Sequence, residues 1–277
     1  MKTIRLLTPI AAAFALFTGS ASATTLIYND FSSVSGLQLN GNAAQAGNVL
    51  RVTPANYNQS GSAFSQTAIS LASNVSFSSA FSFRITNSGG SSDGDGLGAD
   101  GITFTVQTVS NTAGGGGGGI GYSGIPNSVA IEYDTWDNGS FGNDPNGNHV
   151  GIDLGGNIAS VQTAVVGTRM NDGNVWYSWV DYDGATNNLE VRLSQSSSRP
   201  AAAILTRNVD LAAALGTTSA YVGFTSGTGA AFGNHDILSW EFRDTFAPIG
   251  NVPEPASLAL LGLGLFGLAA ARKRQVA

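Results

Sequence analysis

Between Val129 and Asp153 the chain reads VAIEYDTWDNGSFGNDPNGNHVGID. Its first residues alternate as a strand does, with Val129, Ile131 and Tyr133 on one face and Ala130, Glu132, Asp134 and Trp136 on the other. Two carboxylates on one strand face, in a segment without Lys or Arg, repel each other and are costly to bury unless a cation compensates them. The polar series continues through Asn138 and Asp144 to His149, where a second strand-like run begins. Glu132, Asp134, Asp144 and His149 offer three carboxylates and an imidazole, a donor set suited to a Mn-like transition ion with water in its remaining positions. Asp134 and Asp144 can also turn oxygens to a neighbouring Ca²⁺, joined by the Asn138 amide oxygen and a loop carbonyl. Three carboxylates against two divalent ions leave such a site near neutrality. On spacing alone, the alternative is a hairpin with a solvated acidic loop.

The elements around this hairpin read almost entirely as strands. Short segments rich in Val, Ile, Thr and aromatics, bounded by Gly, Asn, Asp and Ser, fall at 26–31, 49–53, 75–85, 101–109, 129–136, 150–154, 161–167, 175–182, 189–194, 220–225 and 237–242. Asp183-Gly184-Ala185-Thr186-Asn187-Asn188 has the composition of a hairpin turn, and only 209–215 suggests a helical turn. Many short strands without interleaved helices predict an all-β sandwich of two sheets.

Both ends carry targeting signals. Lys2 and Arg5 precede an apolar run at 10–17, and Ala21-Ser22-Ala23 is a small-residue cleavage site, so 1–23 reads as a signal peptide and the mature chain is expected to start at Thr24. At the other end Val252-Pro253-Glu254-Pro255 leads into an apolar run at 256–271, closed by Arg272-Lys273-Arg274. That run is shorter than the roughly 20 residues of a usual spanning helix. The 247–277 tail resembles a bacterial PEP-CTERM sorting signal, which implies processing by an exosortase-like protease in an exopolysaccharide-making bacterium. A plain single-span anchor is the alternative. The membrane is then met only through this tail, with the basic stop on the cytoplasmic side.

What lies between, 24–246, is one all-β domain's worth of chain and long enough to bury a core without covalent staples. It contains no cysteine, so the oxidising destination is not used for disulfides. Seventeen acids stand against seven arginines there, a net charge of −10, which disfavours nucleic acid and anionic lipid as partners. A neutral ligand or divalent cations fit better.

The run ValAlaIleGluTyrAspThrTrp, an Asn two residues on, then AspPro, His149 and ValGlyIleAsp together resemble the metal-binding signature of the legume-type (L-type) lectins. The resemblance implies a concanavalin-like jelly roll that binds carbohydrate and is not an enzyme. It implies that Glu132, Asp134, Asp144 and His149 hold Mn²⁺, and that Asp134, Trp136 (through its carbonyl), Asn138 and Asp144 hold Ca²⁺. Gly61-Ser62-Ala63-Phe64 and Phe81-Ser82-Phe83-Arg84-Ile85 resemble the family's first strands, and 223–242 resembles its last ligand loop and closing strand. By the same resemblance Asp100, after a cis Ala99–Asp100 bond, binds the sugar. The Gly118 amide in the run Gly114 to Gly119, the Asn138 side chain, the Trp136 ring and the backbone of Ala230 and Ala231 complete the set. The implied partner is a neutral glycan or exopolysaccharide, met at the cell surface or in the extracellular matrix.

Departures from the family pattern are local. After His149 the chain reads Leu154-Gly155-Gly156-Asn157-Ile158-Ala159-Ser160, which brings the serine expected beside the transition metal one position late. Asp93-Gly94-Asp95-Gly96 reads as a flexible acidic turn without the closing Glu of an EF-hand loop. His235 reads as a hydrogen-bonded structural histidine. Two other classes compete. Glu132-x-Asp134-x-x-Asp137 superficially resembles the Glu-x-Asp-x-x-Glu strand of jelly-roll glucanases, but Asp137 is an odd number of residues from Glu132 and points to the other face. A structural matrix protein that keeps the metal site without sugar binding is the other, and six consecutive glycines are its best support.

Overall fold

Alternation along the chain builds strands almost throughout. The computed structural model describes residues 24–71 and 74–250. In chain order the strands are β1 (Thr25–Tyr28), β2 (Leu37–Gly41), β3 (Ala44–Ala46), β4 (Val49–Thr53), β5 (Ser60–Ser65), β6 (Ile69–Ser70), β7 (Phe77–Gly90), β8 (Ser92–Asp93) and β9 (Gly96–Leu97). They continue with β10 (Gly101–Gln107), β11 (Ser128–Asp134), β12 (His149–Leu154), β13 (Asn157–Val165), β14 (Trp176–Asp183), β15 (Asn188–Ser194), β16 (Leu205–Asn208), β17 (Ser219–Gly227) and β18 (Ala231–Arg243). The helical turn is α1 (Leu211–Leu215), capped by the Asp210 carboxylate, which accepts the Ala213 N–H, and closed by Gly216 at a positive φ.

The back sheet runs β16-β15-β14-β7-β18-β4-β3, with β1 added along β18. Facing it, the front sheet runs β13-β12-β11-β10-β17-β5-β2, with β6 added along β17. Both are antiparallel jelly-roll sheets, and β8 and β9 form a small hairpin of their own. Ile102, Phe104, Ile131 and Tyr133 of the front sheet interdigitate with Phe77, Phe81, Phe83, Trp240 and Phe242 of the back. Phe81 meets Phe224 edge-on at 5.0 Å between centroids, and Phe224 meets Trp240 in the same way at 5.0 Å, geometry that aromatic quadrupoles favour. The Tyr133 hydroxyl crosses the sandwich to hydrogen-bond Ser178 of β14.

Elsewhere the expected boundaries move for identifiable reasons. β1 ends at Tyr28 because Phe31 leaves the strand to bury its ring, its N–H donating to the Asn48 carbonyl. β7 runs on to Gly90, since β18 pairs with it as far as that residue. His235 is fully buried with Nδ1 2.8 Å from Thr53 Oγ1, and burial pushes its pKa down to about 3, as suits a neutral structural histidine. Beyond β18 the chain folds over the outer face of the back sheet, where Ile249 packs on Ala80, Tyr177 and Trp179. Residues 1–23 and the apolar run at 256–271 lie outside the described residues. Among those described, no helix is long and apolar enough to cross a membrane.

Candidate functional site

Ile131 and Tyr133 face the core, so Glu132 and Asp134 stand on the outer face of the front sheet. The ladder sets Gly151 opposite Glu132, and His149 opposite Asp134. One ligand atom each from Glu132, Asp134 and His149 lie within 4.8 Å of one another, and all three side chains are buried. His149 Nε2 is 3.2 Å from Glu132 Oε1 and 3.6 Å from Asp144 Oδ1. Its Nδ1 lies 2.8 Å from the Asn146 carbonyl oxygen, so an N–H there donates to the carbonyl and turns Nε2 toward the acids. Asp144 comes from the β11–β12 connection, and its Oδ2 accepts the Asn138 N–H at 2.6 Å. Asp134 Oδ1 accepts the Trp136 N–H, also at 2.6 Å. Asp137 is exposed and its Oδ1 accepts the Gly139 N–H, so it takes no part in the cluster.

The electrostatics call for positive charge. Burial, reinforced by the charges of Glu132 and Asp144, raises the Asp134 pKa well above the carboxylate range. Burial likewise pushes Asp144 up to about 6. Burial alone lowers the His149 pKa, but the hydrogen bond and charge of Glu132, with Asp144, reverse this and raise it. The cluster thus favours any positive charge, a proton included. The donors present, three carboxylates and an imidazole with its second nitrogen held by a carbonyl, fit a transition ion beside Ca²⁺.

The late serine still reaches the site. Ser160 Oγ is 2.6 Å from Glu132 Oε1 and 2.6 Å from Asp153 Oδ1. One hydroxyl proton serves one acceptor; burial, with the charge of Glu132, raises the Asp153 pKa well above the usual range, the direction that favours a carboxyl proton for the other contact. The extra residue is absorbed by a register shift of β12 against β13 after Ile152 and by Gly155 and Gly156, both at positive φ. Gly151 is what allows the carboxylate and hydroxyl to meet. A β-carbon there would lie 2.2 Å from Glu132 Oε1 and 2.1 Å from Ser160 Oγ.

What anchors the β11–β12 connection lies far from it in the chain. The Asp93-Gly94-Asp95-Gly96 segment, read above as a flexible turn, is the β8–β9 hairpin and docks on that connection. Asp93 Oδ2 accepts the Asp137 N–H at 2.9 Å, and Asp95 Oδ2 accepts the Gly147 N–H at 2.8 Å. Gly147 permits the approach, because a β-carbon there would sit 2.0 Å from Asp93 Oδ2.

Beside the cluster, β10 places Gly101 opposite Asp134, and the preceding Ala99–Asp100 peptide is cis. Asp100 is 4 % exposed, its Oδ2 has no hydrogen-bond partner, and burial pushes its pKa up to about 7. Asn138 Nδ2 donates to the Gly118 carbonyl at 3.4 Å, which joins the β11–β12 connection to the glycine run. That run is seated: the Gly115 N–H donates to the Gly121 carbonyl, and a β-carbon on Gly227 would lie 2.5 Å from the Gly117 oxygen. Trp136 is partly exposed. Ala230 is exposed, whereas Ala231 is buried and its carbonyl accepts the Gly229 N–H.

An antiparallel jelly roll whose front sheet carries a buried acid–imidazole cluster, next to a buried carboxylate with a free oxygen, defines a lectin-type sandwich. The legume lectin domain matches residues 23–256, and the chain belongs to that family. A PEP-CTERM protein-sorting motif, the mark of proteins sorted for export, matches residues 251–274. The L-type lectin-domain containing receptor kinase VIII.1 of Arabidopsis thaliana is 34% identical over 207 residues, 73% of this chain and 27% of that protein. Receptor kinase SIT2 of Oryza sativa subsp. japonica, also L-type lectin-domain containing, is 36% identical over 143 residues, 47% of this chain and 21% of its own length. The chain thus spans about a quarter of such relatives. Lectin II from Ulex europaeus superposes with a TM-score of 0.63 at 28% identity, covering 79% of this chain and 97% of that one. The lectin from Bauhinia forficata in complex with GalNAc does so with a TM-score of 0.65 at 25% identity, covering 80% and 98%.

Proposed function

We propose that this chain is an exported, metal-dependent carbohydrate-binding protein of a bacterial surface or extracellular matrix. The observation that carries the reading is the Asp100 carboxylate, buried with an unpartnered oxygen one residue from the strand position opposite Asp134. A buried acceptor without a donor is destabilising on its own and fits a ligand that brings hydroxyl groups. Asp100 accepts from sugar hydroxyls, with the Asn138 side chain and the Gly118 amide completing the polar set. Trp136 packs on the ring's apolar face, and the backbone of Ala230 and Ala231 borders the site. Ala230 is the more accessible of the two.

Glu132, Asp134, Asp144 and His149 would hold Mn²⁺ or a similar ion, and Asp134, Asn138, Asp144 and the Trp136 carbonyl would hold Ca²⁺. When bound, the two ions supply the charge that the buried carboxylates lack. This chain's own residues then fix the Asn138 segment against the glycine run. The Asp137 orientation and the absence of a role for His149 in glycan hydrolysis favour binding over catalysis. A seated glycine run favours a ligand site over a matrix protein that has lost it. The Bauhinia relative's complex with GalNAc supports a sugar as the ligand class. The expected partners are a neutral glycan or exopolysaccharide and an exosortase-like protease acting on the 247–277 tail. A glycan array probed with the exported protein, with and without chelator, tests the proposal: hits that vanish with chelator support it, and a blank array in both conditions overturns it.

A further inference from the structure

The N-terminal edge of the domain and the root of the sorting tail meet at one buried carboxylate. Thr24 N lies 2.7 Å from Asp244 Oδ2, and the Asp244 N–H donates back to the Thr24 carbonyl at 3.2 Å. The two residues are the next rung of the β1–β18 ladder, whose last pair is Thr25 with Arg243. Asp244 is 8 % exposed, and its second oxygen, Oδ1, has no hydrogen-bond partner. The neighbouring Arg243 guanidinium is engaged with Glu241 and the Ala247 carbonyl. In a chain that still carries residue 23, the Thr24 nitrogen is a neutral amide with one N–H. It can serve one oxygen and leaves the other buried and unpaired, an unfavourable arrangement.

We propose that removal of residues 1–23 turns this contact into an ion pair, the new α-ammonium of Thr24 locking onto Asp244 at the base of the sorting tail. The proposal rests on the reading of 1–23 as a cleaved signal. Hydrolysis of the Ala23–Thr24 bond consumes one water. Its oxygen goes to the Ala23 carbonyl carbon, which departs as a carboxylate, and the Thr24 nitrogen becomes a primary amine that is protonated at neutral pH. An ammonium carries three donors and a full charge, enough to serve both oxygens of one carboxylate through charge-assisted hydrogen bonds. From Asp244 the chain runs only six residues to Gly250 before the sorting motif begins at 251. Along that path the Ala247 N–H donates to Ser78 Oγ at 3.1 Å, and Ile249 is buried on Trp179. Signal removal therefore firms the seat from which the tail departs, so maturation at one end of the chain is felt at the other.

The chain holds no lysine between 24 and 250, and Lys273 is the one lysine after that. Acetylation of the mature chain therefore touches the Thr24 amine and at most one lysine, and ¹³C,¹⁵N-threonine labelling lets the Thr24 ¹³Cα shift follow the titration of the native amine with its three donors intact. The amine is expected to titrate clearly above the α-amino range of about 7.7–8.0, and Asp244→Asn is expected to return it there. Acetylation, which removes the charge, is expected to lower the Tm of the parent by several degrees and to leave Asp244→Asn unmoved. An ordinary titration of the parent amine, or equal Tm losses on acetylation of parent and variant, overturns the proposal, and the first of these needs no variant. Mass spectrometry of the exported chain reads the signal cleavage separately. If the native terminus lies elsewhere, a chain released from a tag to begin at Thr24 gives the same titration, and an ordinary value there overturns the pair itself.

Discussion

Gly151→Ala isolates the geometry of the acid cluster without removing any of its donors. Gly151 lies in β12 without a positive φ, so the strand backbone accepts alanine, and only the new methyl group matters. It would sit 2.2 Å from Glu132 Oε1 and 2.1 Å from Ser160 Oγ, whereas real β-carbon contacts stay beyond 3.0 Å. Glu132 must therefore retreat by at least 0.8 Å, the difference between 2.2 and 3.0 Å. Metal–ligand distances tolerate only about 0.2 Å. Glu132 is then lost as a ligand, or held by a strained side chain, and its serine partner is displaced with it. Perturbations of groups that orient metal ligands weaken affinity about 10–100-fold, or roughly 1.4–2.8 kcal/mol. Calorimetric titration of chelator-stripped protein with Mn²⁺ reads this directly. The metal-free Tm should stay near that of the parent, because both obstructing atoms end movable side chains. A Mn²⁺ affinity within a factor of two of the parent would refute the reasoning that Glu132 and Ser160 form part of the metal site.

Asp100→Asn keeps the shape and removes the charge, so it should abolish glycan binding by calorimetry while Ca and Mn content stay unchanged; retained affinity would place the sugar elsewhere. Asp144→Ala should strip both ions in elemental analysis, whereas His149→Ala should mainly remove the transition metal. Asp144 is held at about 6 and Asp134 is also raised. Through these two groups the folded, metal-free protein holds more protons than the unfolded chain between about pH 4 and 6, so their contribution to stability falls as pH rises, opposed by that of His235, whose pKa is pushed down to about 3. His149, also raised, acts in the same sense, stabilising below its unfolded pKa and losing that contribution as pH climbs through its folded value. Melting curves of chelated protein across this window should show the decline, flattened in Asp144→Asn, and the Tm gained on adding metal should grow with pH because binding displaces those protons.

The site was legible where its chemistry is local. Alternation in Val129–Asp134 alone puts Glu132 and Asp134 on one face, and a turn later His149 faces Asp134 across the hairpin. β2, β3 and β16 escaped notice because sequences such as LQLNG and LTRN carry too few apolar positions to show a period of two, and they form only because β5, β4 and β15 offer free edges. The boundary at Phe31 could not be read either, since a ring leaving its strand for the core is decided by the opposite sheet. Ser160 lay one position from where the resemblance expected it, and a bulge fed by two glycines restored it. Asp93 and Asp95 are 44 and 52 residues from the amides they hold, so nothing in their neighbourhood announced the contact.

On the metal-binding reading proposed above, that last contact bears on how fast the protein would load. Fixing the backbone of a free segment costs about 1–2 kcal/mol per residue, and a loop that orders only around its ions must supply that ordering during every capture. Here Asp93 holds the loop at Asp137 and Asp95 holds it at Gly147, with Asn138 tied to Gly118 between them. The connection is clasped from outside by side chains that lie outside the proposed ligand set. Under that proposal, ion capture would be a matter of shedding hydration water into a waiting frame, and losing an ion would not release the loop.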